Sequence, residues 1–100
     1  MQMEILDWIQ NWFKDNCNGD WEHNGGIQIT TLDNPGWDVE IDISNTSIAN
    51  INVEWILNEN GAQDWYGVKI ENQKFNAAGD SGKLTFLLGL FKEMIEKIEN

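Results

Sequence analysis

The chain has 100 residues, of which 41% are hydrophobic and six are tryptophan, so it is neither disordered by composition nor too poor to bury a core. A single domain of this size buries roughly 65% of the surface its unfolded chain would expose. Seventeen acidic residues stand against six lysines and no arginine, a formal charge of −11, and that field repels nucleic acid and anionic membranes while speeding encounter with a basic partner. No apolar run approaches the ~20 residues of a membrane-spanning helix. The lone cysteine, Cys17, rules out an intramolecular disulfide framework and fits a reducing cytoplasm.

From Met3 to Asp15 the apolar residues Ile5, Leu6, Trp8, Ile9, Trp12 and Phe13 recur at spacings of three and four, which predicts an amphipathic helix. Glu4 and Asp7 suit the positive end of its dipole. Cys17 to Gly26 is punctuated by glycine and asparagine and reads as an ordered loop. Ile27 and Ile29 then alternate with Gln28 and Thr30, and Trp37, Val39, Ile41 and Ile43 alternate with Asp38, Glu40 and Asp42. That period of two predicts two paired strands with one buried face. Between them, Asn34-Pro35-Gly36-Trp37 has the chemistry of a type II turn, with Gly36 at positive φ.

Ser44 to Asn50 is a polar connector. Ile51, Val53, Trp55 and Leu57, alternating with Asn52, Glu54, Ile56 and Asn58, predict a third strand with Glu54 and Ile56 on its outer side. Asn60-Gly61 marks a turn. The fourth strand is Trp65 to Glu71, with Tyr66, Val68 and Ile70 facing inward and Trp65 outward. Asn72 to Gly82 reads as a loop anchored by Phe75, with Asp80 or Ser81 capping a final helix. That helix carries Leu84, Leu87, Leu88, Phe91, Met94, Ile95 and Ile98 on one stripe, and Glu93 and Lys97 are spaced to pair on its wet side.

The expected architecture is therefore α+β: a four-stranded antiparallel meander sheet with the N- and C-terminal helices packed on one face, in a single domain over residues 1–100. The other face would present Gln28, Thr30, Asp38, Glu40, Asp42, Glu54, Ile56 and Trp65, an acidic surface with two large apolar side chains.

Three groups invite a chemical reading. Asp20, Glu22 and His23 include metal-ligand types, but with a single histidine in the chain they fall short of a structural zinc set, and no metal is expected. Asp20 and His23 are better suited to hydrogen-bonding the backbone of a glycine-rich loop. Cys17 with His23, oriented by Asp20, is the sharpest enzymatic reading, set against a cysteine that is a small buried hydrophobe at the end of an apolar helix. Trp21 suits either a lid on the core or an exposed anchor. Neither a phosphate-cradling glycine motif nor a basic aromatic patch is present, so no cofactor and no nucleic acid is expected.

Cys17-Asn18-Gly19-Asp20-Trp21-Glu22-His23, the strand start Gly26-Ile27, and Thr31-Leu32-Asp33-Asn34-Pro35-Gly36-Trp37 together resemble the immunity protein 53 family. The Trp-rich first helix and the Asp64-Trp65 pair are similar too, so the resemblance spans most of the chain. It implies a non-enzymatic cytoplasmic protein, encoded beside a bacterial polymorphic toxin, that binds and silences that toxin's domain. The expected partner is a basic toxin domain, with a nuclease as one candidate, met by an acidic protein that is a monomer or a homodimer. Candidate contact residues are Asp38, Glu40, Asp42, Glu54, Ile56 and Trp65 on the sheet, and Asp20, Trp21, Glu22 and His23 in the loop. The competing readings are a small enzyme of sulfur or acyl transfer using Cys17, and an acidic homo-oligomeric structural subunit.

Overall fold

In a computed structural model, which describes residues 3–99, the elements are α1 (Met3–Asn16), α2 (Trp21–Asn24), β1 (Ile27–Leu32), β2 (Gly36–Asp42), β3 (Val53–Glu59), β4 (Trp65–Glu71), β5 (Lys74–Asp80) and α3 (Leu84–Glu99). The sheet is antiparallel throughout and runs in the order β1-β2-β5-β4-β3. The α+β class and the terminal helices match the expectation from sequence, but the sheet has five strands rather than four and is not a meander.

The segment read as a loop, Asn72 to Gly82, contains the central strand. Its residues Lys74–Asp80 are small or polar except for Phe75, so β propensity gives no signal. The strand exists because Phe75 and Ala77, both fully buried, lie opposite Ile41 and Val39 on one side and Ile70 and Val68 on the other. It is reached through a two-residue turn, Asn72-Gln73, with φ of 55° and 62° at its two positions. Residues at positive φ match the right-handed twist of a hairpin.

β3, β4 and β5 are joined by hairpins, and β2 lies beside β5, so these four strands form a Greek key. The connector from β2 to β3 crosses the end of the sheet where Asn72-Gln73 turns. The Ile43 N–H donates to the Gln73 carbonyl (3.0 Å), and Ile48 is driven fully into the core.

Both long helices cover one face. From α1, Ile9 and Trp12 are buried; from α3, Leu87, Leu88, Phe91 and Ile95. Phe91 meets Trp12 at 4.8 Å between ring centroids, Phe75 at 5.1 Å and Trp8 at 6.2 Å, all edge-on, the arrangement ring quadrupoles favour. At the far end of its predicted stripe Ile98 is exposed, and the ion pair formed on α3 is Lys92–Glu96 (3.9 Å), not Glu93–Lys97. Neither Asp80 nor Ser81 caps α3, which begins at Leu84; Asp80 ends β5 instead.

The turn between β1 and β2 also differs from expectation. Asn34–Pro35 is a cis peptide, Leu32 pairs with Gly36 across a three-residue loop, and Gly36 is not at positive φ. Glycine is needed there for a different reason. A Cβ at Gly36 would overlap the carbonyl oxygen of Gly79 on the neighbouring β5. Gly36→Ala is expected to destabilise the fold by about 1–3 kcal/mol through this overpacking, read as a lower urea midpoint. An unchanged midpoint would mean that β2 and β5 have room to separate.

Candidate functional site

Among the described residues the second face of the sheet carries no helix, and cross-strand partners, which share a face, define its rows. One row runs Leu57–Gly67–Ala78–Asp38–Thr30 from edge to edge, and the next runs Lys69–Asn76–Glu40–Gln28. Beyond that lie Glu71, Lys74 and Asp42. At the opposite end Trp65 pairs with Glu59, and Gly36 with Asp80. The centre is therefore floored by Gly67 and Ala78, with carboxylates toward β1 and large apolar groups toward β3.

The period-two reading of β2 holds. Asp38, Glu40 and Asp42 sit together on the open face, half-buried, while Val39 and Ile41 point into the core. Each carboxylate has a local partner. Asn76 Nδ2 donates to Asp38 Oδ1 (3.1 Å), Lys74 Nζ lies 3.4 Å from Glu40 Oε1, and the Ser44 backbone N–H and hydroxyl donate to Asp42 Oδ1 at 2.8 and 2.6 Å. Lys69 pairs with Glu71 at 3.3 Å. The two lysines of this face are thus both engaged with acids, and the remaining balance is negative.

On β3 the predicted alternation fails. The register shifts between Val53 and Ile56, so a bulge places Ile56 opposite Val68 on the helix side and Leu57 opposite Gly67 on the open side. One inserted residue exchanges the faces of everything after it. Ile56 is consequently not among the carboxylates; Trp55 and Leu57, about half exposed at 49% and 51%, take that place. The ring of Trp55 lies over Gly67, where even a Cβ would overlap it. Glu54 sits at the bulge and, with Trp55, Lys69 and Glu71, borders an open depression of about 400 Å³. The signal for Trp55 and Leu57 was present as Trp55-Ile56-Leu57, three consecutive large apolar residues that no one-faced strand contains.

Trp65 lies on the open face as expected, half-buried. Its backbone N–H donates to Asp80 Oδ2 (3.0 Å), the same oxygen that accepts from Lys83 Nζ at 2.7 Å, while Gly82 N–H donates to Asp80 Oδ1 at 2.9 Å. The Lys83 ammonium, then the N–H groups of Trp65 and Gly82, bring the Asp80 pKa down from an ordinary 3.8 to about 2. Asp64, also 2.7 Å from Lys83 Nζ, and Asp80 raise the lysine's own pKa in return.

The loop candidates divide. Trp21 is buried at 3% exposure, meeting Trp12 and Phe13 at 5.5 Å each and donating Nε1–H to the Asp42 carbonyl (2.9 Å), so it is a core lid beside the end of the acidic row. Glu22 accepts from the Asn18 and Gly19 N–H groups at 2.9 and 2.7 Å. Backbone donors, its own N–H first, hold its carboxyl below the usual range. Asn18 Oδ1 accepts from the Asp20 and Trp21 N–H groups. Asn18 and Glu22 therefore fasten the loop, not Asp20 and His23 as predicted; the side chains of those two are exposed. Cys17 is exposed rather than buried and donates to the Phe13 carbonyl (3.2 Å). Desolvation and the Glu22 carboxylate raise its thiol pKa, the opposite of what a thiolate nucleophile requires. Among the described residues no group of three or more His, Cys, Asp or Glu side chains is placed to hold a metal ion, and no helix is long and apolar enough to cross a membrane.

The Asp80 shift fixes a pH dependence. A carboxylate whose pKa is depressed in the folded chain contributes stability that is complete above its unfolded value of about 3.8 and lost as pH falls through about 2. Asp80→Asn is expected to lower the denaturation midpoint at neutral pH, with the gap to the wild type closing across that acid window. A gap indifferent to pH would show that the charge of Asp80 is not what it contributes.

Compared with known proteins, the chain matches the family model described as Immunity protein 53 over residues 6–96. No curated protein and no solved structure matches it. With the match covering nearly the whole chain, this protein belongs to the immunity protein 53 family.

Proposed function

We propose that the protein binds the toxin domain of a cognate bacterial toxin through the open face of its sheet and silences it there. Membership of an immunity-protein family supplies the class of partner. The observation that carries the choice of surface is the juxtaposition of Asp38, Glu40 and Asp42 with Trp55, Leu57 and Trp65 on the one sheet face without a helix. Solubility explains a carboxylate row by itself, but it does not explain half-exposed tryptophan and leucine beside it. The acidic side suits a toxin whose working surface is basic, as that of a nuclease must be to hold phosphate.

The two halves of the surface act on different rate constants. Charges at a rim steer encounter and are screened by salt, whereas desolvated aromatic anchors set the lifetime of the complex. The test measures association and dissociation against the toxin domain encoded by the adjoining reading frame, at two ionic strengths. Asp38→Asn combined with Glu40→Gln is expected to slow association severalfold at low salt and flatten its salt dependence. Trp65→Ala is expected to speed dissociation roughly 30-fold, the ~2 kcal/mol of an aromatic hot spot. Both variants should lose protection of toxin-producing cells in proportion to their affinity. If tight binding persists with both rate constants unchanged, the open face is not the interface, and Asp20 and His23 on the exposed side of the loop become the next residues to vary.

A further inference from the structure

We infer that the toxin also adds an extended segment to the β3 edge, continuing the sheet by a sixth strand; this rests on the toxin-binding reading above. Among the described residues β3 pairs only with β4, so one side of its backbone is unpartnered. Edge strands are ordinarily protected by lysine, proline or a covering element. Val53–Glu59 contains no lysine and no proline, and Trp55, Ile56 and Leu57 are each about half exposed, at 49%, 50% and 51%. The bulge disturbs only the start of the strand, leaving Ile56 to Glu59 in regular register.

What distinguishes this edge is that both of its faces are apolar and both are hollow. On the open side Trp55 borders the 400 Å³ depression, with Leu57 beyond it along the strand; on the helix side Ile56 lies opposite Val68, which with Leu90 and Met94 lines a second open cavity of about 430 Å³. An added strand projects successive side chains to alternate faces, so its apolar residues would fill the two hollows in turn while its backbone completes the ladder. The other edge, β1, offers only Ile29 as an exposed large apolar group among its residues.

The occupant is a strand flanked by lysine or arginine. Glu54 and Glu71 rim the first hollow against Lys69, which is already paired with Glu71, and Glu93 and Glu96 rim the second against Lys97, so each rim is net acidic. A second copy of this chain is disfavoured by the same charges. It brings another −11 and a β3 whose only charged residues are Glu54 and Glu59.

The test is amide hydrogen exchange of the whole chain, free and bound to the toxin domain encoded by the adjoining reading frame, with binding by Leu57→Asp and Ile56→Asp measured alongside. The expected result is at least roughly tenfold slower exchange, in the complex, of the Ile56–Glu59 amides that β4 leaves unbonded, and roughly tenfold weaker binding by each folded variant. A tight complex whose β3 amides exchange as in the free chain overturns the inference and leaves open-face docking standing. Absence of any binding to that toxin domain overturns both. A free chain that light scattering finds dimeric, with these amides already protected, gives the edge to a second copy and also overturns it.

Discussion

The contact between Phe75 and Phe91 holds the layers of this protein in their places. Phe75 is the one large apolar residue of the central strand, and Phe91 is the ring through which α3 meets both that strand and the two tryptophans of α1. Burying one such side chain is worth about 1.5–3 kcal/mol, and each edge-on aromatic pair adds about 0.5–1.5 kcal/mol. Against a net stability of about 5–15 kcal/mol for a domain of ordinary stability, this one cluster decides whether the sheet and helices stay together. Because both helices converge on Phe91, they are committed to the same face. The opposite face is left bare as a consequence, and it is the bare face that carries the mixed acidic and apolar surface.

Magnitudes separate what is unusual about that surface from what is not. Neighbouring carboxylates two residues apart on a strand are about 7 Å from each other. At the dielectric of water such a pair repels by only ~0.6 kcal/mol, and salt reduces this further. Asn76, Lys74 and Ser44 each satisfy one member of the row. The acids therefore sit there at little cost and do not by themselves demand a partner. Half-exposed Trp55, Ile56 and Leu57 on one unprotected edge are the costlier feature, since each leaves apolar area in water and together they invite unwanted strand pairing. The acidic residues and the apolar edge make sense in combination. On the proposed reading, charge would disfavour pairing between identical copies and leave the apolar edge to an oppositely charged protein.

Much of this was legible in the sequence, and the failures have specific causes. Helical spacing in α1 and α3, and alternation in β2 and β4, report burial directly, so those elements and the side shared by Asp38, Glu40 and Asp42 could be read; β1 was read as a strand too, but at the sheet edge its Ile29 is exposed rather than buried. β5 could not, because Asn76, Ala77, Ala78 and Gly79 have weak strand propensity and gain their place only from the strands on either side. The strand order was hidden by the connector between Asp42 and Val53, which is long enough to cross the sheet and so carries no preference for neighbours. Ile56 was assigned to the wrong face by a single inserted residue, an error that strict alternation cannot detect but a run of three apolar residues announces. In the loop, residue types pointed to a backbone-satisfying role, yet only geometry distinguishes Asn18 and Glu22, which perform it, from Asp20 and His23, which do not.

The arrangement of β2 determines how folding and binding can be told apart in this protein. Successive residues of that strand serve opposite sides: Val39 and Ile41 are fully buried beneath the helices, while Asp38 and Glu40 face outward. A change at Val39 or Ile41 acts first on the core, and a change at Asp38 or Glu40 acts first on the open surface. Asp42 is the exception, because its carbonyl anchors the Trp21 indole while its carboxylate accepts from Ser44. Substitutions at Trp21 therefore pull on the end of the acidic row through the backbone, although the indole itself is buried and out of a partner's reach. A binding defect caused at Trp21 is consequently a report on how firmly the loop holds the end of β2. A defect at Asp38 or Glu40, in a chain of unchanged stability, is a report on the surface itself.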